Sequence, residues 1–151
     1  MKYFKEDFKL QATNGLTVSL EDLKTQNFVI YFYPKDNTSA CTIEAIEFGE
    51  LYHEFRALGY HVYGVSKDSL SSHEKFKDKY NLPFPLVSDI EKVLLQQFGL
   101  IKQKKMYGKL VNGTERSTFV FNSGLKLVKE FRDIKAPGHA KTVLDYIQDI
   151  V

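Results

Sequence analysis

Within YFYPKDNTSACTIEAIEF, residues 31–48, lies Cys41, the only cysteine of the 151-residue chain. Its surroundings ask for a reactive thiol. An apolar run ends at Pro34, a polar Lys-Asp-Asn-Thr stretch follows, and an amphipathic helix begins near Ser39 or Ala40, which puts Cys41 in a first helical turn. The unpaired backbone N–H groups and positive dipole end found there favour an anion, so the thiolate, a nucleophile and redox centre, is favoured over the thiol. The competing reading is an inert, buried apolar filler, the usual fate of a free cysteine. A filler is expected inside an apolar run, whereas Cys41 stands among Ser39, Ala40 and Thr42.

Other chemistries are poorly served. No Cys-x-x-Cys dithiol is present, and a lone cysteine forms no internal disulfide, which fits a reducing compartment. His53, His61, His73 and His139 are scattered without ligand-like pairing to Cys41, so no metal is expected. Walker, dinucleotide and metalloprotease signatures are missing, and no cofactor is expected. The formal charge is only +2, and the short basic run Lys102-Gln103-Lys104-Lys105 reads as a solvated loop and not a nucleic-acid patch. The opening MKYFKEDFKL lacks a signal peptide's apolar centre, and no apolar run approaches the roughly 18 residues of a membrane span, which implies a cytoplasmic protein.

The elements that must position Cys41 follow from periodicity. Residues 28–33 read as a buried strand. From Thr42, Ala45, Phe48, Tyr52, Phe55 and Leu58 recur at helical spacing until Gly59. A second strand spans 61–66, a lysine-rich helix 69–80 carries Phe76 and Tyr80 on one face, and Pro83 and Pro85 interrupt. A short strand at 86–88 and a short helix at 92–98 come next, then two strands, 117–122 and 125–131, about the Asn122-Ser123-Gly124 turn. A last helix covers 138–150. One domain over 1–151 is expected, α/β in class, with a central mixed sheet flanked by helices. The order β-α-β … β-β-α is that of a thioredoxin-like fold, with Cys41 at the carboxyl end of the first strand, where such sheets place their chemistry.

The Cys41 stretch closely resembles the active-site segment of peroxiredoxins, in particular the bacterioferritin comigratory protein (Q-type) subfamily. Its Pro-x-x-x-Thr-x-x-Cys pattern is met by Pro34, Thr38 and Cys41, and DFKL, VYGVSKDSLSSHEKFKDKYNLPFPLVSD, YGKL and ERSTFVF extend the likeness in order along nearly the whole chain. The resemblance implies a thiol peroxidase in which Cys41 is the peroxidatic thiolate, oxidised to a sulfenic acid. It also implies that Thr38 hydrogen-bonds thiolate and peroxide, besides or instead of capping the helix, and that Pro34 closes the pocket to water. The resemblance further implies that Arg116, at the start of a later strand, supplies the cation, and that Glu44, in the first helical turn, orients that arginine or suits the dipole.

The chain departs from the subfamily in two places. Ser39-Ala40 replaces the usual Pro-Gly, and Ile46 stands where many members carry a resolving cysteine. Recycling would then need an external thiol reductant: thioredoxin, a glutaredoxin-like protein or a low-molecular-weight thiol. The resemblance leans towards a monomer. Two rivals stay open: a peroxide sensor or interaction module that passes oxidation to a partner by mixed disulfide, and a thiol transferase or isomerase on the same fold.

Overall fold

The computed structural model of the chain describes residues 3–151, and of Lys104 and Met106 the backbone alone. The central sheet has five strands in the order β5-β4-β3-β8-β9. Its middle strand, β3 (Asn27–Phe32), pairs in parallel with β4 (Tyr60–Ser66), which pairs in parallel with β5 (Leu86–Ser88). On its other side β3 pairs antiparallel with β8 (Ser117–Asn122), which forms a hairpin with β9 (Lys126–Phe131). The sheet is mixed and helices cover it, as the strand pattern predicts.

The unbroken apolar run of β3 has a direct cause: the strand is buried on both faces. Phe28, Ile30 and Phe32 face a cluster built with Phe4, Leu23 and Phe98. Val29, Tyr31 and Tyr33 face the opposite cluster, which contains Cys41, Phe48, Phe55 and Val143. This second layer holds α2 (Ser39–Ala57), α3 (Leu70–Tyr80) and α5 (His139–Ile150). The first holds α1 (Leu20–Lys24) and α4 (Val93–Gln97).

Helix boundaries follow local chemistry. In α1, Ser19 and Asp22 form a reciprocal capping box. In α3, Ser69 Oγ accepts from the Ser72 N–H and Asn81 closes the helix in the left-handed conformation. At α4, Asp89 accepts from the N–H groups of Val93, Leu94 and Leu95.

Four strands and the short helix α1 were not in the sequence reading. Short strands β1 (Lys9–Gln11) and β2 (Thr17–Ser19) pair near the N-terminus. The basic run at 102–105, expected as a loop, lies in β6 (Ile101–Met106), which pairs with β7 (Lys109–Thr114). The turn is Tyr107-Gly108, both at positive φ, the geometry that joins two antiparallel strands tightly. Lys102, Gln103, Lys105, Leu110 and Val111 are all exposed, so among the described side chains neither strand shows the in-out alternation that marks a half-buried strand.

Gly64 on β4 is required by close packing. A Cβ there would sit 2.8 Å from Leu86 Cδ2 and 2.9 Å from Tyr31 Cζ. The bare backbone lets the Tyr31 ring lie over β4 and stack on Phe48, with centroids 4.6 Å apart. Gly64→Ala is expected to destabilise the fold by about 1–3 kcal/mol through overpacking, measured by chemical denaturation. An unchanged midpoint would show that the Tyr31 ring can move aside.

Candidate active site

The β3-to-α2 junction carries the site. Strand β3 delivers Pro34 to the sheet's carboxyl edge, residues 34–38 turn the chain with Asn37 at φ 60°, and α2 starts at Ser39. Cys41 therefore lies in the first turn of α2, with only 1% of its surface exposed. Counted from Ser39, the start the sequence suggested, Glu44 falls in the second turn of α2 and not the first. It occupies the buried stripe with Cys41, Ala45, Phe48 and Phe55.

Sheet order brings the cation. Strand β8 runs antiparallel beside β3, with Ser117 opposite Phe32, so Arg116 arrives at the same edge as Cys41. Its Nη2 donates to Cys41 Sγ at 3.2 Å and its Nη1 to Glu44 Oε1 at 2.6 Å. One planar guanidinium thus spans sulfur and carboxylate, which a lysine's point charge could not do. Burial works against the Arg116 charge, yet Glu44 and Cys41 outweigh it and hold the guanidinium above its ordinary range. Burial pushes Glu44 up to about 7 against the pull of Arg116, and its second oxygen, Oε2, has no hydrogen-bond partner among the described residues. Arg56, on the exposed face of α2, and Arg132, bonded to Glu115, do not contact the sulfur.

Pro34 is half-buried and, with Arg116, Lys102, Glu115, Asp133 and Ile134, lines a groove of about 480 Å³. The β6–β7 hairpin, unseen in the sequence, supplies its Lys102 wall. Thr38 is placed differently from expectation. It occupies the N-cap position but makes no side-chain cap, and its exposed hydroxyl donates to the Lys35 carbonyl at 2.9 Å. A hydroxyl has one proton to give, so in this state Thr38 donates nothing to sulfur. Ile46 lies on intact α2, and Cys41 is a free thiol.

Sequence reasoning missed the buried polar residues under the loop, Asp36 and His73. The signal was there for His73, three residues before Phe76 on the buried face of α3. No such signal marks Asp36, a polar residue in a polar loop.

The AhpC/TSA family model matches residues 5–129. The chain belongs to the AhpC/TSA family. Within this family it is similar to peroxiredoxin Bcp of Bacillus subtilis, 42% identical over 95% of this chain and 92% of that protein. Peroxiredoxin Bcp of Xanthomonas campestris is 44% identical over 91% and 86%. Among solved AhpC/TSA-type structures, Xanthomonas campestris peroxiredoxin Q superposes with a TM-score of 0.89 at 42% identity, covering 94% of this chain and 90% of that one. Enterococcus faecalis AhpC, at 21% identity and a TM-score of 0.80, shares the fold. The chain is thus a Bcp- or Q-type peroxiredoxin in sequence and fold, and the thioredoxin-like α/β architecture stands. Among the described residues, no helix is long and apolar enough to cross a membrane.

Proposed function

We propose that this chain is a one-cysteine thiol peroxidase acting on hydrogen peroxide and organic hydroperoxides. The observation that carries the reading is Arg116 Nη2 at 3.2 Å from a buried Cys41 Sγ in the first turn of α2. The thiolate attacks one peroxide oxygen, an S–O bond forms as the O–O bond breaks, and the leaving oxygen takes a proton to depart as water or alcohol. Negative charge moves from sulfur to oxygen during this step. A guanidinium already fixed beside the sulfur stabilises that redistribution without reorganising. Relatives support the chemistry: one solved structure concerns the alkyl peroxide reduction activity of Xanthomonas campestris bacterioferritin comigratory protein.

Cys41 is the nucleophile in this reading, Arg116 the electrostatic stabiliser, and Glu44 the group that orients Arg116. Pro34 shields the groove from water. Thr38 joins peroxide binding only by giving up its bond to Lys35. With no second cysteine, the sulfenic acid condenses with an external thiol, releasing water and leaving a mixed disulfide, and a second thiol then frees Cys41. The donor is thioredoxin, a glutaredoxin-like protein or a small thiol that enters through the groove. The family resemblance favours a monomer, and the lone free thiol suits the cytoplasm.

The test is to reduce the protein, add about one equivalent of hydrogen peroxide, and trap the sulfenic acid within seconds for intact mass measurement. Cys41→Ser and a small thiol serve as controls. Labelling that depends on Cys41 and far outpaces the small thiol is expected; parity with the small thiol would sink the proposal. Many turnovers with a thiol donor separate the enzyme from a sensor, which would oxidise once and stop.

A further inference from the structure

Beneath the loop at 34–38 lies a buried polar network that the peroxidase reading leaves unused. The Asp36 carboxylate accepts from Tyr33 OH at 2.6 Å and Ser72 Oγ at 2.8 Å, and its Oδ2 faces His73 Nδ1 at 2.7 Å. The Asp36 backbone N–H donates to Asp68 Oδ2 at 2.9 Å, and Asp68 is itself held by Ser66 Oγ. The other ring nitrogen of His73 faces the Val87 carbonyl of β5 at 2.9 Å. A carbonyl only accepts, so Nε2 carries a proton; the 2.7 Å approach of Nδ1 to a carboxylate oxygen then requires a second proton between them. The two groups share that proton in a hydrogen bond whose side chains are 0% and 3% exposed.

Asp36, Asp68 and His73 also meet the spacing of a metal cluster. Both ring nitrogens are already engaged, however, and Asp36 already accepts from two hydroxyls, so the ligand atoms are committed to one another.

We propose that the Asp36–His73 pair is a positioning clamp for peroxide reduction, anchoring the loop of Pro34 and Thr38 to α3 and β5. This rests on the peroxidase reading and deepens it. Asp36 is two residues from Pro34, which walls the groove, and two from Thr38, which precedes the helix that presents Cys41. Tyr33 and Asp36 both follow directly on the end of β3, so the clamp fixes the loop relative to the sheet edge that delivers Arg116. Because the pair is buried, deleting one partner strands the other, and the loop must shift to hydrate it. A shift near 1 Å at a reacting site costs on the order of 100-fold in rate.

The experiment compares two rates at Cys41 in wild type, Asp36→Ala, His73→Ala, the double variant, Asp36→Asn and Tyr33→Phe. One is oxidation by hydrogen peroxide, which needs the positioned loop; the other is alkylation by iodoacetamide, which needs only an accessible thiolate. Each alanine variant is expected to lose about 10- to 100-fold in the peroxide rate beyond any loss in alkylation. The double variant should be no slower than the worse single, since the two residues act as one unit. Asp36→Asn should stay within about threefold, because a carboxamide N–H can donate to Nδ1 of a neutral, Nε2-protonated ring. Should the alanine variants not fold, Tyr33→Phe removes one donor to Asp36 without stranding a charge and should still show a selective, smaller loss. Peroxide and alkylation rates that fall in parallel, or Tyr33→Phe and Asp36→Asn that both match wild type while folded alanine variants lose nothing selectively, would overturn the clamp. A wild type no faster than a small thiol would overturn the peroxidase reading instead, and the clamp with it.

Discussion

Replacing Arg116 with alanine is expected to lower the rate constant for oxidation of Cys41 by hydrogen peroxide about 10²- to 10³-fold, the usual cost of removing a preorganised donor. The Arg116 side chain is 13% exposed and its guanidinium is bonded to both sulfur and Glu44. Its loss removes the fixed donor beside the sulfur, which follows charge onto the leaving oxygen. The fold should survive, for a specific reason. Burial already pushes Glu44 up to about 7, so without Arg116 its carboxyl holds its proton and leaves no stranded charge. Circular dichroism and a thermal melt check the fold, and stopped-flow oxidation gives the rate. Arg116→Lys should fall between wild type and alanine, because an ammonium cannot bridge two acceptors in a plane. An Arg116→Ala protein that reacts at the wild-type rate would remove Arg116 from the site.

Glu44→Gln is expected to stabilise the protein relative to wild type increasingly as pH rises, by up to about 3 kcal/mol between pH 4.5 and pH 8. Burial lifts the carboxyl from 4.5 to about 7 in the folded state. The folded chain therefore holds a proton that the unfolded chain has released, and that stabilisation is complete below about 4.5 and lost as pH rises through about 7. Glutamine stays neutral and loses nothing. His139 acts in the opposite sense over an overlapping range. Burial lowers it from 6.5 to about 4, aided by the nearby Arg116 charge, so its contribution is present above about 6.5 and lost as pH falls through about 4. Subtracting the wild-type urea-denaturation profile from that of Glu44→Gln cancels His139 and isolates Glu44. A difference flat with pH would mean that Arg116 keeps Glu44 ionised throughout. The same variant should react more slowly with peroxide, though less severely than Arg116→Ala, since the amide oxygen still accepts from Nη1 without charge.

The two variants show why local and distant information separate in this chain. The strand at 28–33, the helical stripe through Ala45, Phe48 and Phe55, and the position of Cys41 in a first helical turn were all legible, because each depends on spacing within one element. Arg116 was legible only through its motif, as composition gives no reason to pair it with a residue 75 positions away. The β6–β7 hairpin was not legible: most of its described side chains are exposed, so pairing and a positive-φ turn define it in place of hydrophobic alternation. Nor was the Thr38 hydroxyl's bond to Lys35, which depends on how tightly the loop turns.

By itself the sequence determined the thiol chemistry: one cysteine, no resolving partner at Ile46, and a strand-loop-helix junction around it, all properties of neighbouring residues. Only the tertiary structure decided which distant groups lie against that thiol. The order β3-β8 in the sheet sets Arg116 against Cys41 and Glu44, and the packing of α3 sets His73 against Asp36. Periodicity records which face of an element is buried. What that face meets depends on long-range strand order, and a buried charge gains its partner only when that order is made.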